Sequence, residues 1–182
     1  MEYFDGIART IISFAPEKRL IGRVRLQKVA YLLDALGMQT GLKFNYYHYG
    51  PFSRDLDLGT DDAKSLGLIE EIRKSRDGDG AAYSVFSLLP KAESEPSLEL
   101  GAMEEARARA LVEKFAGVNS TVLELAATAH WLVQVEKVVD WNKEIQLRKG
   151  VKTQSGRLEL AIALLHECGL QPGISAIIPV QT

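Results

Sequence analysis

The feature that most constrains the fold is a glycine-rich turn between two strand-like runs near the middle of the chain. Residues 68–74 and 82–89 read as strands, and Asp77-Gly78-Asp79-Gly80 lies between them. Glycine adopts the positive φ angles of tight hairpin turns at little cost, so this run is a strong turn signal. We therefore predict an antiparallel β-hairpin over residues 68–89.

Three helices and one extended segment are predicted before this hairpin. Apolar side chains recur at helical spacing in three runs, and one run rich in aromatic side chains favours a strand until a Gly-Pro pair breaks it. The predicted helices cover residues 3–14, 23–36 and 54–66, and the extended segment covers 43–49. This order of elements matches a winged helix-turn-helix in which the hairpin is the wing.

The second half of the chain is predicted to contain helices only. A polar run with a proline, residues 91–99, separates the halves, and the helices are predicted over 98–116, 120–137, 138–148 and 155–170. The predicted fold class is therefore mostly α (α+β), with a winged-helix-like N-terminal half and a helical C-terminal half. The predicted domains are 1–90, winged-helix-like, and 98–182, a helical domain or extension packed on the first.

Composition indicates an ordinary globular protein without an internal disulfide or a membrane span. The chain has 182 residues, a formal net charge of −2 and a single cysteine, Cys168, so an internal disulfide is excluded. No run of 18 apolar residues is present, and the N-terminus does not resemble a signal peptide. We expect a cytoplasmic protein that does not bind a membrane.

Catalytic signatures are absent from the sequence. It contains neither a glycine-rich phosphate loop nor a helical zinc-protease motif. We therefore predict no catalytic residue, no cofactor and no metal, and expect that the chain is not an enzyme. A distant alternative is a small hydrolase: His48 with Ser53 and Asp55 supplies the residue types of a triad, and Cys168 is a candidate thiol nucleophile.

The helix predicted over 54–66 is acidic, and this charge affects which class of partner it can bind. Ser53 is placed to cap it, and Leu56, Ala63 and Leu66 are predicted to face inward. A recognition helix in the major groove of DNA lies between two rows of phosphates, which repel carboxylates. This helix therefore suits a basic protein partner better than DNA. The candidate partner-binding residues are Arg54, Asp55, Asp57, Asp61, Asp62 and Lys64.

A basic stretch offers the alternative hypothesis of a DNA-binding regulator. Residues 18–28 carry five cationic side chains and no acid, and the predicted wing carries three more cations. Such side chains contact phosphates in DNA-binding proteins, and a dimer would then be expected because DNA half-sites pair with protein two-folds. The candidate phosphate-binding residues are Lys18, Arg19, Arg23, Arg25, Lys28, Arg73, Lys74 and Arg76.

Two runs, "RLQKVAYLLDALG" and "FNYYHYGPFSRDLD", resemble a motif of YwgA-like bacterial and archaeal proteins. The motif is also similar to Panacea (SocA-like) antitoxin domains and to partner-binding regions of some macrodomain antitoxins. The matching residues are Leu26, Gln27, Lys28, Tyr31, Leu33, Tyr49, Gly50, Pro51, Phe52, Ser53 and Leu56. Phe52 stands where tyrosine is frequent. The resemblance implies a small helical protein with a winged-helix-like first half and a toxin-neutralising or regulatory role.

Together these patterns predict a non-enzymatic, antitoxin-like or regulatory interaction module that binds a protein partner. The resemblance makes a toxin or regulator encoded nearby the expected partner. The alternative is a winged-helix DNA-binding transcriptional regulator, for which DNA and a second copy of the chain are the partners. Bases stacked on Tyr46, Tyr47 or Tyr49 are a further hypothesis for the aromatic run.

Overall fold

The computed structural model describes residues 2–95 and 98–173. In these ranges the chain forms seven α-helices and five short strands, which confirms the predicted mostly α (α+β) class. The predicted C-terminal domain ends at residue 182, and its residues 174–182 lie outside the described part. The helices are α1 (Glu2–Phe14), α2 (Arg23–Leu33), α3 (Arg54–Ser65), α4 (Glu105–Gly117), α5 (Ser120–Gln134), α6 (Trp141–Lys149) and α7 (Arg157–Cys168). The strands are β1 (Arg19–Ile21), β2 (Asn45–Tyr47), β3 (Gly50–Phe52), β4 (Ile69–Ser75) and β5 (Ala82–Leu88).

Contacts divide the chain into two compact bodies whose sequences interleave. The first body comprises Met1–Asn45 and Phe52–Val118, and the second comprises Tyr46–Pro51 and Asn119–Thr182. The sequence placed its boundary at residues 91–99, whereas the contacts place α4 in the first body. They also assign most of the β2–β3 hairpin to the second body, although its flanking residues belong to the first.

The sheet of the first body has three antiparallel strands in the order β1, β5, β4. The predicted hairpin is confirmed, because β4 pairs with β5 from Ile69 opposite Leu88 to Ser75 opposite Ala82. β1 was not predicted: Leu20 lies opposite Phe86 and both are fully buried. Part of the basic stretch is therefore a strand whose alternate side chain enters the core.

A glycine brings α1 and α3 of the first body into close contact. A Cβ atom added to Gly59 would lie 2.5 Å from the carbonyl carbon of Phe4, closer than real contacts allow. From the sequence alone Gly59 only weakens a helix. In the structure, the missing side chain lets the α3 backbone approach α1, while Leu56 and Ala63 are buried as predicted.

The second body is built around α5, whose residues 122–132 are all buried. α6 and α7 both pack against α5. The N-cap of α5 is Asn119, and its side-chain oxygen accepts hydrogen bonds from the backbone N–H groups of Thr121 and Val122. An amide oxygen there satisfies N–H groups that have no partner inside the helix.

Two predicted helix boundaries were wrong. The helix predicted over 98–116 begins only at Glu105, and residues 98–104 are not helical. The helix predicted over 23–36 ends as an α-helix at Leu33 and continues as a π-type turn to Met38, in which Gly37 has a φ of 105°. Asp34 then accepts hydrogen bonds from the backbone and the hydroxyl of Thr40, which closes this turn.

Candidate functional site

The start of α3 is held in place by a buried glutamine from α2. Gln27 Nε2 donates to the backbone oxygen of Ser53 at 2.9 Å, and Gln27 Oε1 accepts from the backbone N–H of Ser53 at 2.8 Å. The Ser53 hydroxyl in turn accepts a hydrogen bond from the N–H of Leu56, as expected for an N-cap. The Gln and Ser positions of the sequence motif therefore meet, and they fix where α3 begins.

The outward stripe of α3 mixes charge with exposed leucine. Arg54, Leu58, Asp61 and Ser65 are exposed and follow the helical spacing of four, three and four residues. Leu58 is 52% exposed. Leu66, predicted to face inward, is also exposed, because the helix has ended and Gly67 turns the chain so that Leu68 is buried instead. Asp55 and Asp62 are half-buried beside this stripe.

A nearly buried glutamate joins α2, α3 and the sheet next to this stripe. The Glu71 carboxylate accepts from Arg23 at 2.8 and 2.7 Å, from Lys64 at 2.8 Å and from the Ser84 hydroxyl at 2.6 Å. These donors hold the pKa of Glu71 well below its usual range, with Arg23 the largest cause. Arg23 also contacts Asp57 at 3.3 Å and Asp61 at 3.7 Å.

Sequence analysis did not single out Glu71, one of two adjacent glutamates in the first predicted strand of the hairpin. The alternation of β4 contained a usable signal, since residue 71 shares a sheet face with Ile69, which is fully buried. Glu70 does lie on the exposed face. Only one of the two glutamates is therefore solvated.

Most of the predicted phosphate-binding residues of the first body are engaged by the fold. Lys18 pairs with Glu93, and Arg25 donates to the backbone oxygens of Ile21, Phe115 and Val118. Lys28 is only 1% exposed, so its ammonium does not reach the surface where a phosphate would bind. The exposed cations among these candidates are Lys18, Arg19, Arg73, Lys74 and Arg76, and Arg76 contacts Asp79.

The aromatic residues of the motif and their neighbours are divided between the two bodies. In the first body, Tyr31 is buried and meets Phe44 edge to face, with ring centroids 5.2 Å apart, and burial raises the pKa of its hydroxyl. Gly50 has a φ of 88°, which a side chain would disfavour, and Pro51 is buried directly after it. The predicted strand over 43–49 is shorter than expected, because His48 and Tyr49 form the hairpin turn.

In the second body the hairpin rings lie among cations. The Arg148 guanidinium lies 4.6 Å from the centroid of the Tyr46 ring, and the Lys152 ammonium lies 4.9 Å from that of Tyr49. Tyr46, Tyr47, His48 and Arg148 line an open cleft of about 450 Å³. The cleft is wide open to solvent, so a ligand in it would be covered on one side only.

A buried ion cluster supports this hairpin. Glu124 of α5 accepts from Lys149 at 2.9 Å and from Lys152 at 3.0 and 2.9 Å, and both Glu124 and Lys149 are almost fully buried. Lys149 also donates to the backbone oxygen of His48 at 3.1 Å. Burial is the main cause that lowers the pKa of Lys149. Sequence analysis did not find this cluster, because Glu124 lies 25 residues from Lys149 and 28 from Lys152.

Two residues of the alternative hydrolase hypothesis, Ser53 and Cys168, lie at helix ends. The Ser53 hydroxyl is buried at the α3 cap, and Cys168 is half-buried at the end of α7. Among residues 2–95 and 98–173, no group of three or more His, Cys, Asp or Glu side chains is arranged to hold a metal ion. No helix in these ranges has the length and apolar character needed to span a membrane.

Two curated proteins are similar to this chain, and no family model matches it. The chain is 28% identical over 71 residues to the uncharacterized protein YwgA of Bacillus subtilis, which covers 39% of this chain and 43% of that protein. It is 30% identical over 151 residues to the DNA ADP-ribosyl glycohydrolase of Thermus aquaticus, which covers 79% of this chain and 40% of that protein. The chain thus spans about two fifths of the length of each relative.

These similarities support one part of the sequence interpretation and overturn another. The match to YwgA supports a YwgA-like relationship for part of the chain. The prediction that the chain is not an enzyme was wrong, because a relative that matches 79% of the chain is named as an enzyme. The sequence motif contains no catalytic pattern, so the residues alone did not indicate this.

Proposed function

We propose that this chain is an antitoxin-like or regulatory module that binds a protein partner through the outward stripe of α3. We further propose that it serves the chemistry named for its Thermus relative, the removal of ADP-ribose from DNA. A toxin or regulator encoded nearby is the partner we expect. The link to Panacea-type antitoxins and the winged-helix character of the first half belong to this proposal.

The observation that carries the proposal is an exposed leucine within the charged outward surface of α3. Leu58 lies between Arg54 and Asp61 on the outward stripe, and Leu66 is exposed directly after the end of the helix. Protein interfaces combine an apolar centre with a polar rim, and their binding energy is concentrated in a few desolvated side chains. A DNA groove offers no comparable partner for an exposed leucine beside a carboxylate.

The alternative of a winged-helix DNA regulator has less support. Of its eight phosphate-binding candidates, Lys18, Arg23, Arg25 and Lys28 are paired, bound to backbone oxygens or buried. Each phosphate contact contributes to affinity mainly by releasing counterions, and a cation already paired with a carboxylate contributes less. The remaining candidates are Arg19, Arg73, Lys74 and Arg76, of which Arg76 contacts Asp79. They are few for an affinity that depends on phosphates.

A second candidate function is the enzymatic activity itself, which the similarity to the Thermus enzyme favours. One experiment addresses both candidates. The purified chain is mixed with DNA carrying ADP-ribose, with and without the protein encoded beside it, and two quantities are measured: ADP-ribose released and complex formed with that protein.

Matched variants separate the two candidates. We expect Leu58→Ser to weaken the complex about ten-fold or more, as loss of an interface anchor does, without changing ADP-ribose release. The control is Leu160→Ser in α7, an equally exposed leucine of the second body, which should leave the complex intact. A complex unaffected by Leu58→Ser would contradict the α3 proposal, and absence of ADP-ribose release would contradict the second candidate.

A further inference from the structure

The turn of the second body's hairpin exposes three consecutive rings that the fold does not use for its core. Tyr47 is 60% exposed, Tyr49 is 54% exposed, and His48 between them is also exposed. The rings of Tyr47 and His48 stand edge to face with centroids 6.0 Å apart. Large rings are normally covered in a monomeric protein, so a row of them beside an open cleft suggests a ligand that covers them.

The charge around these rings favours a ligand that carries negative charge as well as rings. Residues 43–54 contain no aspartate or glutamate. Lys152, which lies over one face of Tyr49, is 38% exposed, whereas its carboxylate partner Glu124 is almost fully buried. The charge presented to solvent next to Tyr49 is therefore positive.

The hairpin is held rigidly enough to present its rings in a fixed arrangement. Lys149 ties the backbone of His48 to Glu124. Arg148, which lies over Tyr46, is itself held by Glu136 through two hydrogen bonds of 2.9 and 2.7 Å and by Glu144 at 2.7 Å. Rings held in this way lose little conformational freedom when a flat ligand stacks on them.

We propose that this hairpin binds single-stranded DNA by stacking unpaired bases on Tyr47 and Tyr49, with one nucleotide in the cleft lined by Tyr46, His48 and Arg148. Rings that alternate with cations are the usual platform for single strands, because every base has a stacking face. A base in duplex DNA is already stacked and does not reach these rings. The site is independent of the α3 surface and of the function proposed for it.

Three of the nearby cations have carboxylate partners, which sets a second expectation. Arg148 is paired with Glu136 and Glu144, and Lys149 and Lys152 share Glu124. Few counterions are then released on binding, so the affinity should depend weakly on salt. With one or two effective phosphate contacts, raising salt from about 50 to 200 mM should weaken binding less than about ten-fold.

The test measures fluorescence anisotropy of a labelled deoxythymidine strand of about 12 nucleotides, and of the same sequence as a duplex, titrated with the full chain. We expect the single strand to bind more tightly than the duplex. Tyr47→Ala and Tyr49→Ala should each weaken single-strand binding roughly five-fold to 100-fold, the loss expected for one stacked base.

Ring-retaining variants distinguish stacking from a structural effect. Tyr47→Phe and Tyr49→Phe keep the stacking face and should bind within about two-fold of the native chain, since stacking needs no hydroxyl. Leu160→Ala, at an exposed position of the same body, is the control that should not matter. The proposal is overturned if no binding is seen up to about 100 µM protein, if the duplex binds as tightly, or if the alanine variants bind like the native chain. Loss of a protein complex in these variants, without any DNA binding, would also overturn it.

Discussion

Each body has an ion cluster near its core, but the two clusters bury different numbers of charges. In the first body the buried group is a carboxylate, Glu71, and its cations Arg23 and Lys64 stay partly in water. In the second body a lysine and a glutamate, Lys149 and Glu124, are buried together, and only Lys152 keeps its head partly in solvent. The first arrangement desolvates one charge, whereas the second desolvates two.

This difference determines whether each ion cluster contributes mainly to stability or mainly to a fixed geometry. A buried carboxylate with three donors, two of them charged, gains strong hydrogen bonds at the cost of desolvating one ion. A fully buried pair has a desolvation cost close to its Coulomb gain, so such a pair is weak evidence for stability and better evidence for a fixed geometry. In the second body the fixed geometry is that of the hairpin, since Lys149 also holds the backbone of His48.

The largest expected effect is from breaking the pair in the second body. Glu124→Gln leaves the ammonium of Lys149 buried without its counter-charge, and we expect the free energy of unfolding to fall by about 3–5 kcal/mol. Urea unfolding followed by tryptophan fluorescence measures this, because Trp131 and Trp141 both belong to the second body.

A double variant tests whether the pair itself is responsible. Adding Lys149→Met to Glu124→Gln removes the stranded charge, so the double variant should be more stable than Glu124→Gln alone. Additive losses would show that the two side chains do not act as a pair.

We expect acid to unfold the second body at a higher pH than the first body. Burial lowers the pKa of His130 in α5 from 6.5 to about 4, so the unfolded chain binds more protons than the folded chain between these values. The free energy of unfolding of the second body should therefore fall by about 3 kcal/mol as the pH is lowered through this window. Glu71, whose pKa is held low, costs the first body stability only below about pH 4.5.

The measurement is an acid titration followed by two probes. Tryptophan fluorescence should report loss of the second body at a higher pH than the loss of total helix seen by circular dichroism. His130→Gln should move the fluorescence transition to lower pH. Coincident transitions in the native chain would mean that the two bodies do not differ in this way.

The smallest of these effects is expected from Glu71→Gln in the first body. The amide keeps the size of the side chain and one acceptor, and Arg23 retains Asp57 and Asp61. Lost charge-assisted hydrogen bonds cost about 1.5–3 kcal/mol. Chemical unfolding followed by circular dichroism measures the loss, and Glu70→Gln, the exposed neighbour, is the matched control that should change stability by less than about 0.5 kcal/mol. Equal effects at the two positions would contradict the network.

Much of the fold could be predicted from the sequence because its signals are local. The hairpin followed from Asp77-Gly78-Asp79-Gly80, and α2, α3, α5 and α7 followed from apolar spacing and their glycine or capping residues. β1 could not be predicted, since a three-residue strand has no periodicity of its own and forms only because β5 pairs with it. The role of Gly59 likewise depends on α1, a non-local neighbour.

The candidate sites were only partly predictable for the same reason. The acidic residues of α3 and the aromatic run are visible as composition, and the sequence motif contains the Gln27–Ser53 contact without revealing it. Pairings such as Glu124 with Lys149 and Glu71 with Arg23 join residues 25 and 48 positions apart. No pattern in a single sequence specifies such partners.

The interleaved chain path has a practical consequence for dissecting this protein. Residues 46–51 belong to the second body, yet they are translated before α3, the sheet hairpin and α4 of the first. A fragment that starts at Asn119 therefore lacks the rings that Arg148 and Lys152 contact and the carbonyl that Lys149 binds. During translation the first segment of the second body is made early, but this body can fold completely only after its last helices have been made. Cutting the gene between Val118 and Asn119 therefore keeps every residue of the first body in one fragment but leaves the second body incomplete.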